Sequence, residues 1–284
     1  MKRWLFFVLK GLAGILACAA FMFLYWYGGS EQYRLTGVPV LNYHQVNDQY
    51  HTSLTMTTPD FDTQMKYLHD NGYHTITPAQ LKAYLTEDAP LPDKPVMLTF
   101  DDGYIDNYVH AWPILKKYDM TATIFIITGL VDKPRYLSWD NIQKMSAAGI
   151  SFGDHTVSHK PLSSLNTQQI QYEITASKTQ LENHLGKTVD FIAYPEGSYD
   201  DRVESAVKAA GYTGGFTVNA GRVFHGDDVG ALNRVAVFES GQSTFRHFYI
   251  RLMLSTLCGY LWKLHAFVAG TLHLQRYASA IPEP

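Results

Sequence analysis

Short apolar runs alternate with helical segments through the middle of this chain, and this alternation restricts the possible folds more than any other feature. Between residues 38 and 237, runs such as PVMLTF (95–100) and TATIFII (121–127) are followed, about seven times, by segments with apolar residues at helical spacing. Repeated β-α units predict a parallel sheet covered by helices. The length of this region suits a closed or nearly closed β/α barrel, and a doubly wound open sheet is the alternative.

The composition excludes some classes of protein. The 284 residues are 46% hydrophobic and 17% charged, with a formal net charge of −3, which is ordinary for a globular chain. Because there is no basic excess, we expect no nucleic-acid partner. Two cysteines, Cys18 and Cys258, cannot form a disulfide framework. The fold must therefore depend on its apolar core, which a chain of this length can supply.

Residues 1–30 have the pattern of a cytoplasmic flank followed by a transmembrane signal-anchor. Basic residues at positions 2, 3 and 10 lead into an uncharged stretch over residues 11–27 that ends in Tyr-Trp-Tyr. From residue 4 onward, a helix would span roughly 36 Å at ~1.5 Å per residue, enough for a bilayer core of about 30 Å. The basic flank places the rest of the chain outside the cytoplasm. A cleaved signal peptide is the alternative, because residues 17–19 have a small-x-small pattern.

The remaining boundaries follow from composition. A polar linker over residues 31–37 precedes the predicted barrel, which we assign to residues 38–240, and residues 241–284 form a predicted C-terminal helical extension. This extension is apolar but contains Arg251, Lys263 and His265. A charge in mid-membrane costs about 2.5–3.5 kcal/mol, so a second crossing is disfavoured. An interfacial helix and helices packed on the barrel both remain open.

One buried strand runs straight into two neighbouring carboxylates, Asp101 and Asp102. In β/α barrels the carboxyl ends of the strands carry the active site. Two adjacent carboxylates repel each other unless a positive charge lies nearby. A helix N-cap would explain one aspartate but not the pair. The pair therefore indicates a bound cation.

A histidine pair follows another predicted strand in the segment GDHTVSH. His155 and His159 are four residues apart, a spacing that on a helical turn puts both rings on one side. A single zinc ion can bind two such imidazoles. The pair alone is a weak signal, but with the two aspartates at another strand end it predicts a metal site.

Three segments together resemble a known family. TFDDG (99–103), HTVSH (155–159) and AYPEG (193–197) are similar to the motifs of the NodB-homology polysaccharide deacetylases, carbohydrate esterase family four. The similarity covers residues 38–237. LNYHQV and LSWDNIQKMSAAGISFGDHTVSHKPL resemble the branch that deacetylates poly-N-acetylglucosamine. The resemblance implies a distorted (β/α)7 barrel and a divalent metal, usually zinc.

The resemblance also assigns roles to residues. It implies that Asp102, His155 and His159 bind the metal and that Asp101 is the general base. A proton donor for the departing amine is also needed, and the family's late Leu-x-x-Leu-His segment is not clear in this sequence. His44 in LNYHQV is the candidate general acid, with a structural histidine as the alternative. His225 is the next candidate.

The third motif departs from the family pattern of Arg-Pro-Pro-Tyr. The backbone N–H of Glu196 corresponds to the family's oxyanion donor, but Ala193 replaces the arginine that orients the base. Arg234 is a possible replacement, and an exposed ion pair is the alternative for it. Tyr194 is assigned to the substrate groove or to packing. Trp139 is assigned to sugar stacking or to the core.

These assignments predict metal-dependent hydrolysis of N-acetyl groups from an N-acetylglucosamine-containing polysaccharide, outside the cytoplasmic membrane. Peptidoglycan or an O-acetylated glycan is the alternative substrate, because the motifs describe the hydrolysis and not the sugar. A catalytically weak glycan-binding or assembly protein on the same fold is a further alternative, suggested by Ala193.

Overall fold

The computed structural model describes residues 37–50, 52–237 and 245–266. The predicted anchor over residues 1–30 and nearly all of the linker lie outside these ranges. So do residues 238–244 and 267–284, which belong to the predicted barrel end and C-terminal extension. Among the residues that are described, no helix combines the length and the apolar character needed to cross a bilayer.

Ten short strands are present in this part of the chain. In chain order they are β1 (Val40–Tyr43), β2 (Gln45–Val46), β3 (Thr55–Met56), β4 (His74–Thr75), β5 (Pro95–Phe100), β6 (Thr123–Ile126), β7 (Ser151–Asp154), β8 (Phe191–Ala193), β9 (Gly214–Ala220) and β10 (Leu232–Ala236). Seven of them form a closed parallel barrel: β1, β5, β6, β7, β8, β9 and β10, in that order around the ring.

The ring closes at β1. Leu41 lies opposite Val235 of β10 on one side and opposite Leu98 of β5 on the other. All seven strands pair in parallel, so the closed barrel is confirmed and the open-sheet alternative is wrong. The short strand β4 pairs with the start of β5, and β2 pairs with β3 outside the barrel.

Helices cover the outside of the barrel. They are α1 (Thr58–Asp70), α2 (Pro78–Glu87), α3 (Trp112–Lys117), α4 (Trp139–Ala147), α5 (Thr167–Leu185), α6 (Asp201–Ala209) and α7 (Phe245–Ala266). The longest before α7 is α5, which begins at a capping box between Asn166 and Gln169 and ends at Gly186 with a φ of 63°. A π-helical turn, Asn107–Ala111, precedes α3, where Pro113 cannot donate a backbone hydrogen bond.

Alternate residues of each strand face two different apolar clusters. Val40 and Met97 pack with Phe125 in a cluster inside the barrel. Leu41 and Leu98 pack in a second cluster with residues of the helices. Because side chains alternate along a strand, this pattern fixes which residues beyond each strand end point toward the barrel axis.

The described part of α7 packs on the barrel. Phe248 and Leu252 are buried, and the Arg222 guanidinium donates to Ser255 Oγ at 2.7 Å and to the Leu252 carbonyl at 2.8 Å. Of the two alternatives for this segment, packing against the barrel is the one that residues 245–261 show.

Candidate active site

Strand alternation brings the candidate residues to one end of the barrel axis. Met97 points inward on β5, so Asp101, four residues later, also points inward. The same count of four from Val40 places His44 inward, and a count of two from Leu232 places Arg234 inward. Tyr43 lies opposite Phe100, which sets His44 beside Asp101.

Asp102, His155 and His159 form a cluster that fits a cation. Asp102 Oδ1 lies 3.5 Å from His155 Nε2 and 3.5 Å from His159 Nε2, and the three candidate ligand atoms lie within 4.8 Å of one another. Asp102 Oδ1 is buried and accepts no hydrogen bond from the described residues. A buried oxygen of this kind needs a partner, and two imidazoles beside it are typical zinc ligands.

The hydrogen bond of His155 sets its tautomer. Its Nδ1 lies 2.7 Å from the carbonyl oxygen of Ala193, which can only accept, so we assign the proton to Nδ1. The lone pair of Nε2 then faces Asp102, as in metal sites where a second partner orients the histidine. Ala193 therefore supports the site through its backbone.

The pKa values of the two histidines shift in opposite directions. Burial lowers the pKa of His155, but the neighbouring carboxylates of Asp102 and Asp101 outweigh burial and raise it. Burial and the neighbouring His155 lower the pKa of His159, which favours the neutral ring that a cation binds.

The segment over residues 155–159 is an irregular loop, so the helical-turn geometry assumed from the histidine spacing is wrong. Thr156 and His159 have φ values of 67° and 57°, in the left-handed region. Asp154 accepts a hydrogen bond from Thr156 N at 2.5 Å, and Thr156 Oγ1 accepts one from His159 N at 3.0 Å. These bonds hold a backbone shape that non-glycine residues rarely adopt.

Glu173 supports the same loop from α5, and no sequence motif pointed to it. Its buried carboxylate accepts hydrogen bonds from Ser158 N at 2.8 Å and Ser158 Oγ at 2.5 Å. The available signal was its helical spacing from the buried residues Ile170 and Ser177, which places an acidic group on the inner face of the helix.

Glu173→Ala should weaken metal binding, because the loop that carries His159 loses two hydrogen bonds. Partners behind metal ligands commonly change affinity by about 10–100-fold, and we expect a loss in this range. Competition with a chromophoric zinc chelator measures it. Glu182→Ala is the matched control, since Glu182 lies on the same helix and accepts from Val189 N at 3.0 Å, away from the loop. Equal zinc affinity in the two variants would contradict this role.

Arg234 forms a bidentate ion pair with Asp101. Its Nη1 and Nη2 donate to Oδ1 and Oδ2, both at 2.8 Å, and its Nε donates to the Thr217 carbonyl at 2.8 Å. Burial alone would raise the pKa of Asp101, but Arg234 and His155 hold it well below its usual range. Arg234 is only 1% exposed, which excludes the exposed ion pair considered from the sequence.

His44 is close to Asp101, whereas His225 is not part of the cluster. His44 Nε2 lies 4.0 Å from Asp101 Oδ2. Burial lowers the pKa of His44, although both aspartates act to raise it. His225 contacts Tyr84 of α2 and Asp88, the residue after that helix.

The other predicted residues fall in different places. Glu196 follows β8 in a short 3₁₀ turn with a φ of 55°, and its charge acts on His159. Tyr194 is 0% exposed, and its hydroxyl donates to the Gly230 carbonyl at 2.8 Å, which favours the packing role. Trp139 stacks on His184 at a ring-centroid distance of 3.8 Å, so that ring already covers an indole face.

Comparisons with known proteins point to one family. A family profile described as "Polysaccharide deacetylase" matches residues 88–215. The Bacillus subtilis (strain 168) protein YxkH, named as a polysaccharide deacetylase, is 38% identical over 200 residues, covering 70% of this chain and 71% of that protein. Poly-beta-1,6-N-acetyl-D-glucosamine N-deacetylase from Staphylococcus aureus (strain MRSA252) is 28% identical over 215 residues, covering 66% of this chain and 74% of the relative.

A solved structure shares the fold. The Streptococcus pyogenes deacetylase PplD in complex with acetate superposes with a TM-score of 0.69 at 32% identity, over 72% of this chain and 93% of that one.

Proposed function

Because this chain belongs to the polysaccharide deacetylase family, we propose that it hydrolyses N-acetyl groups of an N-acetylglucosamine-containing polysaccharide with the help of a divalent cation, zinc. The observation that carries the proposal is the cluster of Asp102, His155 and His159 beside the Arg234–Asp101 ion pair. The choice of substrate is supported by the Staphylococcus aureus relative, whose name states that it acts on poly-β-1,6-N-acetyl-D-glucosamine.

In this proposal, the residues of the site have different roles in amide hydrolysis. Asp102, His155 and His159 would hold the cation, which would supply Lewis-acid chemistry for the acetamide carbonyl and for the attacking water. Asp101, kept ionised by Arg234, accepts the proton that the attacking water loses. The backbone N–H of Glu196 donates to the carbonyl oxygen as negative charge builds on it.

The departing amine needs a proton, and His44 is the donor in this proposal. It directly follows β1, which pairs with the strand that precedes Asp101, and His44 Nε2 lies 4.0 Å from Asp101 Oδ2. A proton taken up at Asp101 and one given up at His44 keep the overall reaction balanced, yielding acetate and a free amine.

A catalytically weak binding protein was considered because Ala193 stands where the family has an arginine that orients the base. Arg234 brings a guanidinium to Asp101 from β10, which supports the enzyme and not the binding protein. We place the enzyme outside the cytoplasmic membrane, held by residues 1–30. This location is supported by the basic flank and the apolar stretch of that segment.

Removing the cation should abolish activity and adding zinc should restore it. The assay follows acetate release from N-acetylglucosamine oligomers and from peptidoglycan fragments, before and after treatment with a chelator. His155→Ala should remain inactive after zinc is added, because a ligand is missing. Full activity in the chelated protein would contradict the metal-dependent mechanism, and release from peptidoglycan alone would contradict the proposed substrate.

A further inference from the structure

Helix α7 buries one face against the barrel. The buried side is formed by residues at intervals of four, three and four positions: Phe248, Leu252, Ser255 and Gly259. A Cβ on Gly259 would lie 3.1 Å from Gly221 Cα, so helix and barrel approach each other closely there. The barrel therefore holds this inner face of α7, and the opposite face points away from the barrel.

The opposite face, the outer face of α7, is also apolar. Its residues follow the same intervals two positions later: Ile250, Leu254, Leu257 and Leu261. None of the four is buried, and Ile250 is 39% and Leu257 43% exposed. Tyr260 beside them is 64% exposed. A helix that is apolar all round is normally buried, so the outer face indicates a surface that another apolar medium covers.

The charged side chains of α7 are all basic. Arg246 and His247 are exposed at the start of the helix, and Arg251 is exposed one turn later, with its Nη1 donating to the Ala236 carbonyl at 3.0 Å. Residues 240–282 contain no Asp or Glu. An apolar helix face bordered by arginines matches the head-group region of a bilayer that contains anionic lipid. A dimer through this face would bring the same arginines together, which like-charge repulsion disfavours.

The chain enters the barrel next to α7. Val38 pairs with Val223, and the residue before Val223, Arg222, donates to Ser255 Oγ of α7 at 2.7 Å. The predicted linker, residues 31–37, can span at most about 25 Å when it is fully extended. A segment in the bilayer before this linker would therefore keep α7 close to lipid, at a high effective concentration.

We propose that the outer face of α7 lies on the surface of a bilayer that contains anionic lipid. The apolar side chains enter the head-group region, and Arg246 and Arg251 lie beside lipid phosphates. The inference goes beyond the proposed function and does not depend on the catalytic roles. It adds a contact that holds the barrel against the membrane, where a linker alone would let it turn freely.

Spin labels on the full chain in lipid vesicles test this contact. Cys18 and Cys258 are first replaced by alanine, and a nitroxide is attached to Leu257→Cys. Its collision rates with oxygen, which is concentrated in lipid, and with a water-soluble nickel complex show what surrounds the label. The reference is the same label on Tyr172→Cys, at a 61% exposed position on α5. In vesicles of phosphatidylglycerol and phosphatidylcholine, we expect the label at position 257 to collide more with oxygen and less with nickel than the reference.

Two changes test the part played by charge. Arg246→Gln should lower the ratio of lipid-bound to solvent-exposed label about fivefold, the usual contribution of one basic residue near an anionic surface. Vesicles of phosphatidylcholine alone should lower the ratio further, because both arginines then lose their anionic partners. Lys144→Gln, which removes an exposed cation on α4, is the matched control and should leave the ratio unchanged.

Three outcomes would overturn the proposal. A label at position 257 that remains as open to nickel as the reference would show that the outer face is not on the bilayer. Loss of collisions with both oxygen and nickel would show that protein covers this face, either a second copy or residues 1–30. Equal lipid contact with and without phosphatidylglycerol would rule out recognition of anionic lipid.

Discussion

Replacing Asp101 with asparagine should lower kcat by about 10²–10⁴-fold, the usual contribution of a positioned acid or base, while zinc remains bound. Asparagine has nearly the same shape, but its amide cannot take a proton from water at neutral pH. The three candidate ligands are untouched, because Asp101 lies beside their cluster and is paired with Arg234. Acetate release under saturating substrate and zinc content by elemental analysis measure the two quantities.

A matched substitution shows whether loss of any aspartate has this effect. Asp140→Asn removes an exposed carboxylate on α4 that is paired with Lys144 at 2.6 Å. Exposed pairs of this kind contribute little to stability, so the variant should fold normally and keep its activity. Wild-type kcat in Asp101→Asn would rule out Asp101 as the general base.

Arg234→Met should lower the free energy of unfolding by about 3–5 kcal/mol, the range found when one partner of a buried ion pair is removed. Methionine fills much of the space but leaves the Asp101 carboxylate and the Thr217 carbonyl without their donors. The free carboxylate also loses its orientation, so kcat should fall. Urea unfolding and acetate release measure the two effects.

The double variant Arg234→Met/Asp101→Asn isolates the ion pair. Replacing the unpaired carboxylate of Asp101 with a neutral amide should recover part of the lost stability, while activity stays low. If Arg234→Met alone does not fold, the expected recovery is the return of a folded protein in the double variant. A double variant less stable than Arg234→Met by the full cost of Asp101→Asn would show that the two side chains do not interact energetically.

The fold was predictable because the strands are buried on both faces and carry an unbroken apolar signal. The PVMLTF run matches β5 residue for residue, Pro95–Phe100. Closure was harder to predict. It depends on β1 pairing with both β10 and β5, which are separated by more than 130 residues, and no local pattern records that pairing.

The candidate site was predictable where its residues are neighbours in sequence. Two short motifs are visible in the sequence: the adjacent Asp101 and Asp102, and His155 with His159. Arg234 was suggested only as a residue on another strand, and the structure brings it to Asp101 across 133 residues of chain. Glu173 was missed, because a single acidic residue in a helix is informative only when it is known which face of the helix packs against the barrel.

Tyr194 shows how strand alternation settles an ambiguous residue. Ala193 points into the barrel, so the next side chain must point out, where Tyr194 packs in the outer cluster. The motif alone gave no reason to choose between groove and core, and the pleat of β8 decides it.

The direction of β1 also determines how the protein can be attached to something larger. The chain enters this strand near Val38, which pairs with Val223, and leaves it at His44, at the catalytic end. A support attached to residues before Val38, such as a bead, a fusion partner or a lipid layer, is therefore connected to the barrel at the end where β1 begins. The candidate site then lies at the opposite end of the barrel from this attachment point.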